Sequence, residues 1–278
     1  KEIVKVKTPN FESSIAGLNS SEFPNIPTET LADSLKITSS EILSALASVL
    51  FAVSTDETRP VLTGVLVIIN KDDLILVATD GFRLSQKKVK IQSVKEEKRL
   101  VLPKSVLIEL SRLTESDYIN FSYKKSDSQV VFSSGDSILS SRIIEGEFPD
   151  FERIIPKETK IKVHLDRNDL LRSIKLAGVF ARDSANVVKF IVSKNALEVT
   201  AESNQSGSQK NKVDAKIESE LSDSFVIAFN YRFVEDFLNA VKGENISLEF
   251  SDPNAPALFL DEKDSNFLHI IMPVRLQG

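Results

Sequence analysis

The sequence has no cysteine and no tryptophan, and only two histidines and nine glycines in 278 residues. Without cysteine there are no disulfides, no thiolate metal sites and no cysteine nucleophile. His164 and His269 are far apart, and neither has a second ligand-type residue at metal-binding spacing, so both read as structural. There is no Walker loop, dinucleotide fingerprint or nucleophile elbow, and too little glycine to cradle a phosphate. Asp72-Asp73 and Asp252 fall in turns, where acidic side chains serve the backbone, so no catalytic carboxylate pair is assigned. Neither a metal nor a cofactor is expected. No apolar run reaches the length of a membrane span, and no basic-then-apolar leader opens the chain. Basic residues are outnumbered 35 to 40, for a net charge of −5. A nucleic-acid binder usually carries a basic balance, so any DNA contact here has to come from a local basic surface. The first residue is Lys1 rather than Met, as in a fragment or a processed chain.

What is present suits one large or two ordinary globular domains, 41% hydrophobic and 27% charged. Residues 1–18 alternate, with Ile3, Val4 and Val6 before Pro9-Asn10 and Phe11, Ile15 and Leu18 after it, and predict one or two strands. They are too few for a domain and read as the end of another one. Ser20 to Thr28 reads as a linker. From there the chain repeats itself: Glu22-Phe23-Pro24-Asn25 returns as Glu147-Phe148-Pro149-Asp150. Each copy predicts a short strand (34–38 and 160–165) and then a helix. The first helix opens with Thr38-Ser39-Ser40-Glu41, the pattern of a capping box, and buries Ile42, Leu43, Leu46, Val49, Leu50 and Val53. The second is capped by Asp166 and buries Leu170, Leu171, Ile174 and Ala177. Two strands follow in each copy (61–70 and 74–79; 187–193 and 197–201), then a charged connection, a strand and another helix. These last helices start at Pro103, with Val106, Leu107, Leu110 and Leu113 inward, and at Asn230, with Phe233, Phe237, Leu238 and Val241 inward and Gly243 as the stop. Three strands close each copy. Short hairpin connections favour antiparallel sheets with helices on one face, an α+β class built by domain duplication. The boundaries expected are 1–27 for the truncated element and linker, 28–147 for one domain and 148–278 for the next. Ser203 to Asn211 is polar and predicts a mobile hairpin tip.

Three stretches do not dissolve into this scheme. Val77-Ala78-Thr79-Asp80-Gly81-Phe82-Arg83-Leu84 ends an apolar strand, turns at Asp80-Gly81, and presents an aromatic ring, a guanidinium and an aliphatic side chain. Met272-Pro273-Val274-Arg275-Leu276 is apolar and near the terminus, and Pro273 forces it off the last strand. Pro149-Asp150-Phe151-Glu152-Arg153-Ile154 sits between the repeats. Ordinary domain packing is one reading. An apolar peptide groove rimmed by Arg83, Arg153 and Arg275 is the other. In it Leu62, Leu84, Ile154 and Val274 form the floor and Pro149 and Pro273 stiffen the walls. A charge at Leu84 should then abolish peptide binding with the fold intact.

Taken together, VATDGFRL (77–84), EGEFPDFERIIP (145–156) and MPVRL (272–276) resemble the bacterial replicative sliding clamp family, the beta subunit of DNA polymerase III. The resemblance covers essentially the whole chain. It implies the second and third clamp domains plus the end of the first, a non-enzymatic processivity factor, and cytoplasmic localisation without a membrane role. It implies a head-to-tail homodimeric ring around duplex DNA of any sequence, helices lining the hole and sheets outside. With the first domain missing, the chain is not expected to close a ring by itself. The resemblance implies a groove at Leu62, Thr79, Gly81, Phe82, Arg83, Leu84, Pro149, Arg153, Ile154, Ile270, Met272, Pro273, Val274 and Arg275. There the replicative polymerase, the clamp loader and repair polymerases would dock short linear peptides, with a glutamine followed by spaced Leu and Phe. Phe82 stands where many members carry a polar aromatic, Ala185 where some place a large aromatic wall, and Asn254 and Pro256 where small rim residues occur. DNA-facing candidates are Arg59, Arg172, Lys175, Arg182 and Lys242; the first helix has no Lys or Arg. Val179 and Phe180 fall at the subunit interface. The alternatives are a peptide-binding adaptor on the same fold without a DNA role, and a hydrolase for which no residues can be named.

Overall fold

A computed structural model describes residues 2–23, 34–94, 96–113, 116–219 and 224–276. A hairpin of β1 (Ile3–Thr8) and β2 (Phe11–Ala16) opens the chain, with almost every side chain exposed. The linker expected at Ser20 to Thr28, with the domain boundary at 28, lies largely outside the described residues.

The first half runs β3 (Leu35–Thr38), α1 (Ser39–Val49), β4 (Gly64–Ile69), β5 (Asp73–Thr79), β6 (Arg83–Lys90) and β7 (Lys98–Pro103). It continues with α2 (Lys104–Leu110), β8 (Tyr118–Lys124), β9 (Gln129–Ser134) and β10 (Ser137–Arg142). The second half runs β11 (Ile161–Asp166), α3 (Arg167–Ala181), β12 (Val187–Ser193), β13 (Ala196–Ser203), β14 (Gly207–Asp214) and β15 (Lys216–Glu218). β16 (Phe225–Asn230), α4 (Tyr231–Ala240), β17 (Asn245–Phe250), β18 (Ala257–Asp261) and β19 (Phe267–Ile271) complete it.

Every strand pairing described is antiparallel, as the short connections require, and the class is α+β. Two four-stranded sheets have the orders β10-β9-β8-β3 and β14-β13-β12-β16. The remaining sheet has nine strands, β15-β11-β17-β18-β19-β6-β5-β4-β7, and crosses from one half to the other where β19 pairs with β6. The orders expose the duplication. The run β6-β5-β4-β7 matches β14-β13-β12-β16, and β19-β18-β17-β11 matches β10-β9-β8-β3. The joined edges β6 and β19 therefore have counterparts, β14 and β10, that end their sheets.

Each half buries its own apolar cluster beneath its helices, one around Leu46, Leu76, Leu102 and Leu110, the other around Ile174, Phe190, Phe229, Phe237 and Phe259. A third cluster lies on the opposite face of the long sheet: Leu62, Leu66, Val77, Leu84, Val101, Leu258 and Ile270 under Phe148 and Phe151. α4 packs beside both α3 and α1. α3 and α4 touch where Gly178 lies against the Tyr231 ring; a Cβ there would come within 2.8 Å of the ring. Lys242, just beyond α4, donates to Ser44 of α1 at 2.8 Å.

Several local expectations change. The capping box does not form: Thr38 holds the N-cap position without a side-chain bond, and Ser39 Oγ donates instead to the Ser116 carbonyl at 2.6 Å. Asp166 caps α3 as expected, accepting from the Asn168 and Asp169 amides at 2.8 and 2.9 Å. In α4 it is Val234 rather than Phe233 that is fully buried. Ser203 to Asn211 is mostly strand, since the β13–β14 ladder runs on to Ser203 opposite Gly207. β6 lies within what reads as a charged connection. Its lysines lie on a half-buried strand, and Lys87 pairs with Asp264. No helix among the described residues is long and apolar enough to cross a membrane.

Candidate functional site

The site grows from the Asp80 turn. Asp80 Oδ1 accepts from the Phe82 and Arg83 amides at 2.9 and 3.0 Å. Thr79, buried, donates from Oγ1 to the Arg83 carbonyl at 2.6 Å and accepts from the Gly81 amide at 3.0 Å. Gly81 has φ +94°, a conformation that side chains disfavour. The turn is fixed by its own short polar side chains, and it ends by projecting Phe82, which is 63% exposed.

From there strand alternation takes over: successive side chains point to opposite faces. Leu84 pairs with Ile270, and both are fully buried in the cluster under Phe148 and Phe151. Arg83 pairs with Ile271 and turns toward the helices. It is not a free rim cation. Nε meets Asp80 at 3.0 Å, Nη1 meets Asp236 of α4 at 2.5 Å, and Nη2 donates to the Phe51 carbonyl at 2.6 Å. Its carbon centre lies 4.5 Å from the Phe233 ring centroid. Charging Leu84 would accordingly strike the core, and the expectation of an intact fold in that variant does not hold.

The terminal segment is docked. The Met272 amide donates to the Phe82 carbonyl at 2.8 Å, and the Val274 amide to Ala228 of β16 at 2.8 Å. Met272, Pro273 and Val274 are half-buried, while Arg275 is exposed. Of the junction segment, Pro149 and Arg153 are exposed, Arg153 with Asp150 at 2.7 Å, and Ile154 is 38% exposed. Leu62 is buried in the same outer cluster as Leu84 and Ile270. The structure thus brings the three stretches to one place. Leu62, Leu84 and Ile270 form its buried floor. Val274 is only half-buried, and Ile154, expected in that floor, is exposed, as are Phe82, Arg153 and Arg275.

Under this point His269 is fully buried. Its Nδ1 lies 2.6 Å from Ser85 Oγ, and the rings of Phe51, Phe237 and Phe259 surround it. Burial, with the charge of Arg83 second, lowers its pKa to about 3. It is neutral and structural at neutral pH. His164 lies 2.5 Å from Glu262 and 3.7 Å from Glu218 at the other end of the sheet. Among the described residues no cluster of His, Asp and Glu could hold a metal.

The basic candidates divide. Lys175 and Arg182 are exposed on and just after α3, and Arg172 is exposed but paired with Asp169. Lys242 reaches α1. Arg59 does not join them: the loop after α1 folds back, so Arg59 pairs with Asp56 at 3.1 Å and donates to the Asp80 carbonyl at 3.3 Å. It belongs to the Asp80 turn. Val179 is 56% exposed, whereas Phe180 packs against the second core. Ala185 is exposed in the turn after α3 at φ 54°, and Asn254 is exposed after β17. Sequence reasoning missed Asp236, Phe51 and Phe148 here. Only Phe148 carried a signal, as the repeat partner of Phe23.

Residues 36–150 match the family model for the DNA polymerase III beta subunit, central domain, and residues 152–275 its C-terminal domain. The chain is 30% identical over 272 residues to the beta sliding clamp of Staphylococcus aureus strain Mu50, covering 97% of this chain and 71% of that protein. The structure resembles the DNA polymerase III beta subunit of Thermotoga maritima, with TM-score 0.87, 29% identity, and 99% and 74% of the two chains covered. For the DNA polymerase sliding clamp of Bacillus subtilis the figures are 0.88, 27%, 99% and 73%.

Proposed function

The chain belongs to the DNA polymerase III beta subunit family, the bacterial sliding clamps, and from that membership we propose that its junction site is the groove through which partner proteins are tethered. As a DNA sliding clamp it is a processivity factor and not an enzyme. In this reading the clamp encircles duplex DNA, helices inward, and the replicative polymerase, clamp loader and repair polymerases take turns at the groove. The work is done in the cytoplasm, on the nucleoid.

The observation that carries the groove is the docked tail. An apolar terminal segment frays unless something holds it. This one donates two backbone hydrogen bonds, at 2.8 Å each, to Phe82 and Ala228. That leaves an exposed aromatic, an exposed isoleucine and two arginines around a tail already held in place, which lowers the ordering cost for an extended peptide. Buried anchors would carry the affinity, and Arg153 and Arg275 the rate and its salt dependence.

The sheet edges support head-to-tail assembly. β14 and β10 are the counterparts of the joined edges β6 and β19, so a further clamp domain can add to either by the same antiparallel pairing. Val179, at the end of α3 beside β14, occupies the place that Phe51 takes beside the joined edge. Phe51 packs against both cores; Val179 is exposed.

The test is a titration with a labelled peptide carrying glutamine followed by spaced Leu and Phe. Saturable binding to the parent and none to Val274→Asp is the expected result. Equal binding by both would remove the groove from this site.

A further inference from the structure

We propose that Arg83 and Asp236 form a latch between the two halves of the molecule, and that Arg83 acts on the groove as a positioning residue rather than as a contact to the peptide. The proposal rests on the groove reading for its functional consequence, but not for its geometry.

Arg83 uses its fork in three directions. Asp80 lies in its own turn and Phe51 follows α1 in the same half, but Asp236 belongs to α4 of the other half. The guanidinium is enclosed between the Phe233 and Phe51 rings, at 4.5 and 5.6 Å, one from each half. Its side chain is only 10% exposed, whereas that of Asp236 is 42% exposed. A planar, always-charged fork held by three acceptors and two rings has little freedom left for a ligand.

What the latch holds is the site itself. The strand bearing Arg83 starts one residue after Phe82, whose carbonyl receives the Met272 amide. A rotation of α4 against β6 would therefore alter the spacing between the Phe82 turn and the tail, which is also hydrogen-bonded to β16, the strand leading into α4. The latch is not a general strut of the repeat. The ladder registers place Gly207 of β14 where Arg83 stands in β6, so the corresponding outer edge has no cation at that position.

The sequence has no cysteine, so spin labels can be placed at Ser105 of α2 and Asn239 of α4, both exposed, one in each half. In Asp236→Ala the interlabel distance distribution should shift or broaden relative to the parent, and Asp236→Glu should restore it. Peptide affinity should fall about tenfold in Asp236→Ala, as expected for losing one charge-assisted hydrogen bond. Combining it with Arg83→Ala should cost less than the sum of the two single changes. Val188→Ala, a core truncation away from the junction, supplies a control with lowered melting temperature and should leave both readouts at the parental value. An unchanged distance distribution in Asp236→Ala overturns the latch. A changed distribution with unchanged peptide affinity overturns its role in positioning. If the parent itself binds no peptide, the groove reading fails and the distance measurement still decides the latch.

Discussion

His269 shows how the junction depends on its surroundings at the level of one side chain. It faces Phe51, Phe237 and Phe259, with Ser85 as its hydrogen-bond partner and Arg83 as the nearby charge. Its folded pKa of about 3 lies below the ordinary 6.5, so the unfolded chain takes up a proton that the folded chain refuses. The stability it confers is complete above pH 6.5 and is lost as pH falls toward 3. Between pH 6.5 and 5 the loss is about 2 kcal/mol. Denaturant unfolding at pH 7.5 and 5 should show that drop in the parent and a smaller one in His269→Gln; equal drops would remove His269 as its source. Leu84→Ala should cost about 2–5 kcal/mol of stability, read from the same curves, because Leu84 is fully buried. The sequence made Phe82, Arg83 and Leu84 legible as a distinctive trio but not as residues on opposite faces. Strand period places Leu84 and Arg83 apart, and that period becomes readable only once β6 is known to begin at Arg83.

At the scale of elements, the helices and the strands built from β-branched and aromatic residues were legible because their periodicity is strong. The repeat itself could be read from Phe23 and Phe148. β6 and β14 were not legible, since SQKKVK and SQKNKVD carry charge on the faces that other strands cover or leave wet. The Thr38–Glu41 pattern misled: Thr38 takes the N-cap position but its side chain accepts no amide of the first turn. The turn after α3 offers a test of local strain. Ala185 and Asn186 both have positive φ, 54° and 61°. A left-handed alanine costs about 1–2 kcal/mol, partly offset in the unfolded state by the extra freedom of glycine. Ala185→Gly should therefore raise the melting temperature slightly; a lower one would show that the Ala185 methyl makes contacts outweighing its strain.

For the whole molecule, the net charge of −5 and the few exposed cations on and just after α3 set the terms of DNA binding. A clamp has to hold DNA without gripping it, so contacts should go to phosphate and be few. Each neutralised phosphate contributes a slope of about 0.9 in log affinity against log salt, and Lys175, Arg182 and Arg172 would give a slope of about −2 to −3. Fluorescence titration of a duplex across a salt series should show weak binding with that slope, reduced by about 1 in Arg182→Ala. Binding indifferent to salt would contradict it. On the proposed reading the docked tail and the Phe82 turn form one groove. The most direct measurement compares the parent with a chain ending at Ile271, both shown folded by circular dichroism, for affinity toward a polymerase-tail peptide. Loss of binding in the truncated chain is the predicted result; equal affinity would mean that residues 272–276 take no part in the site.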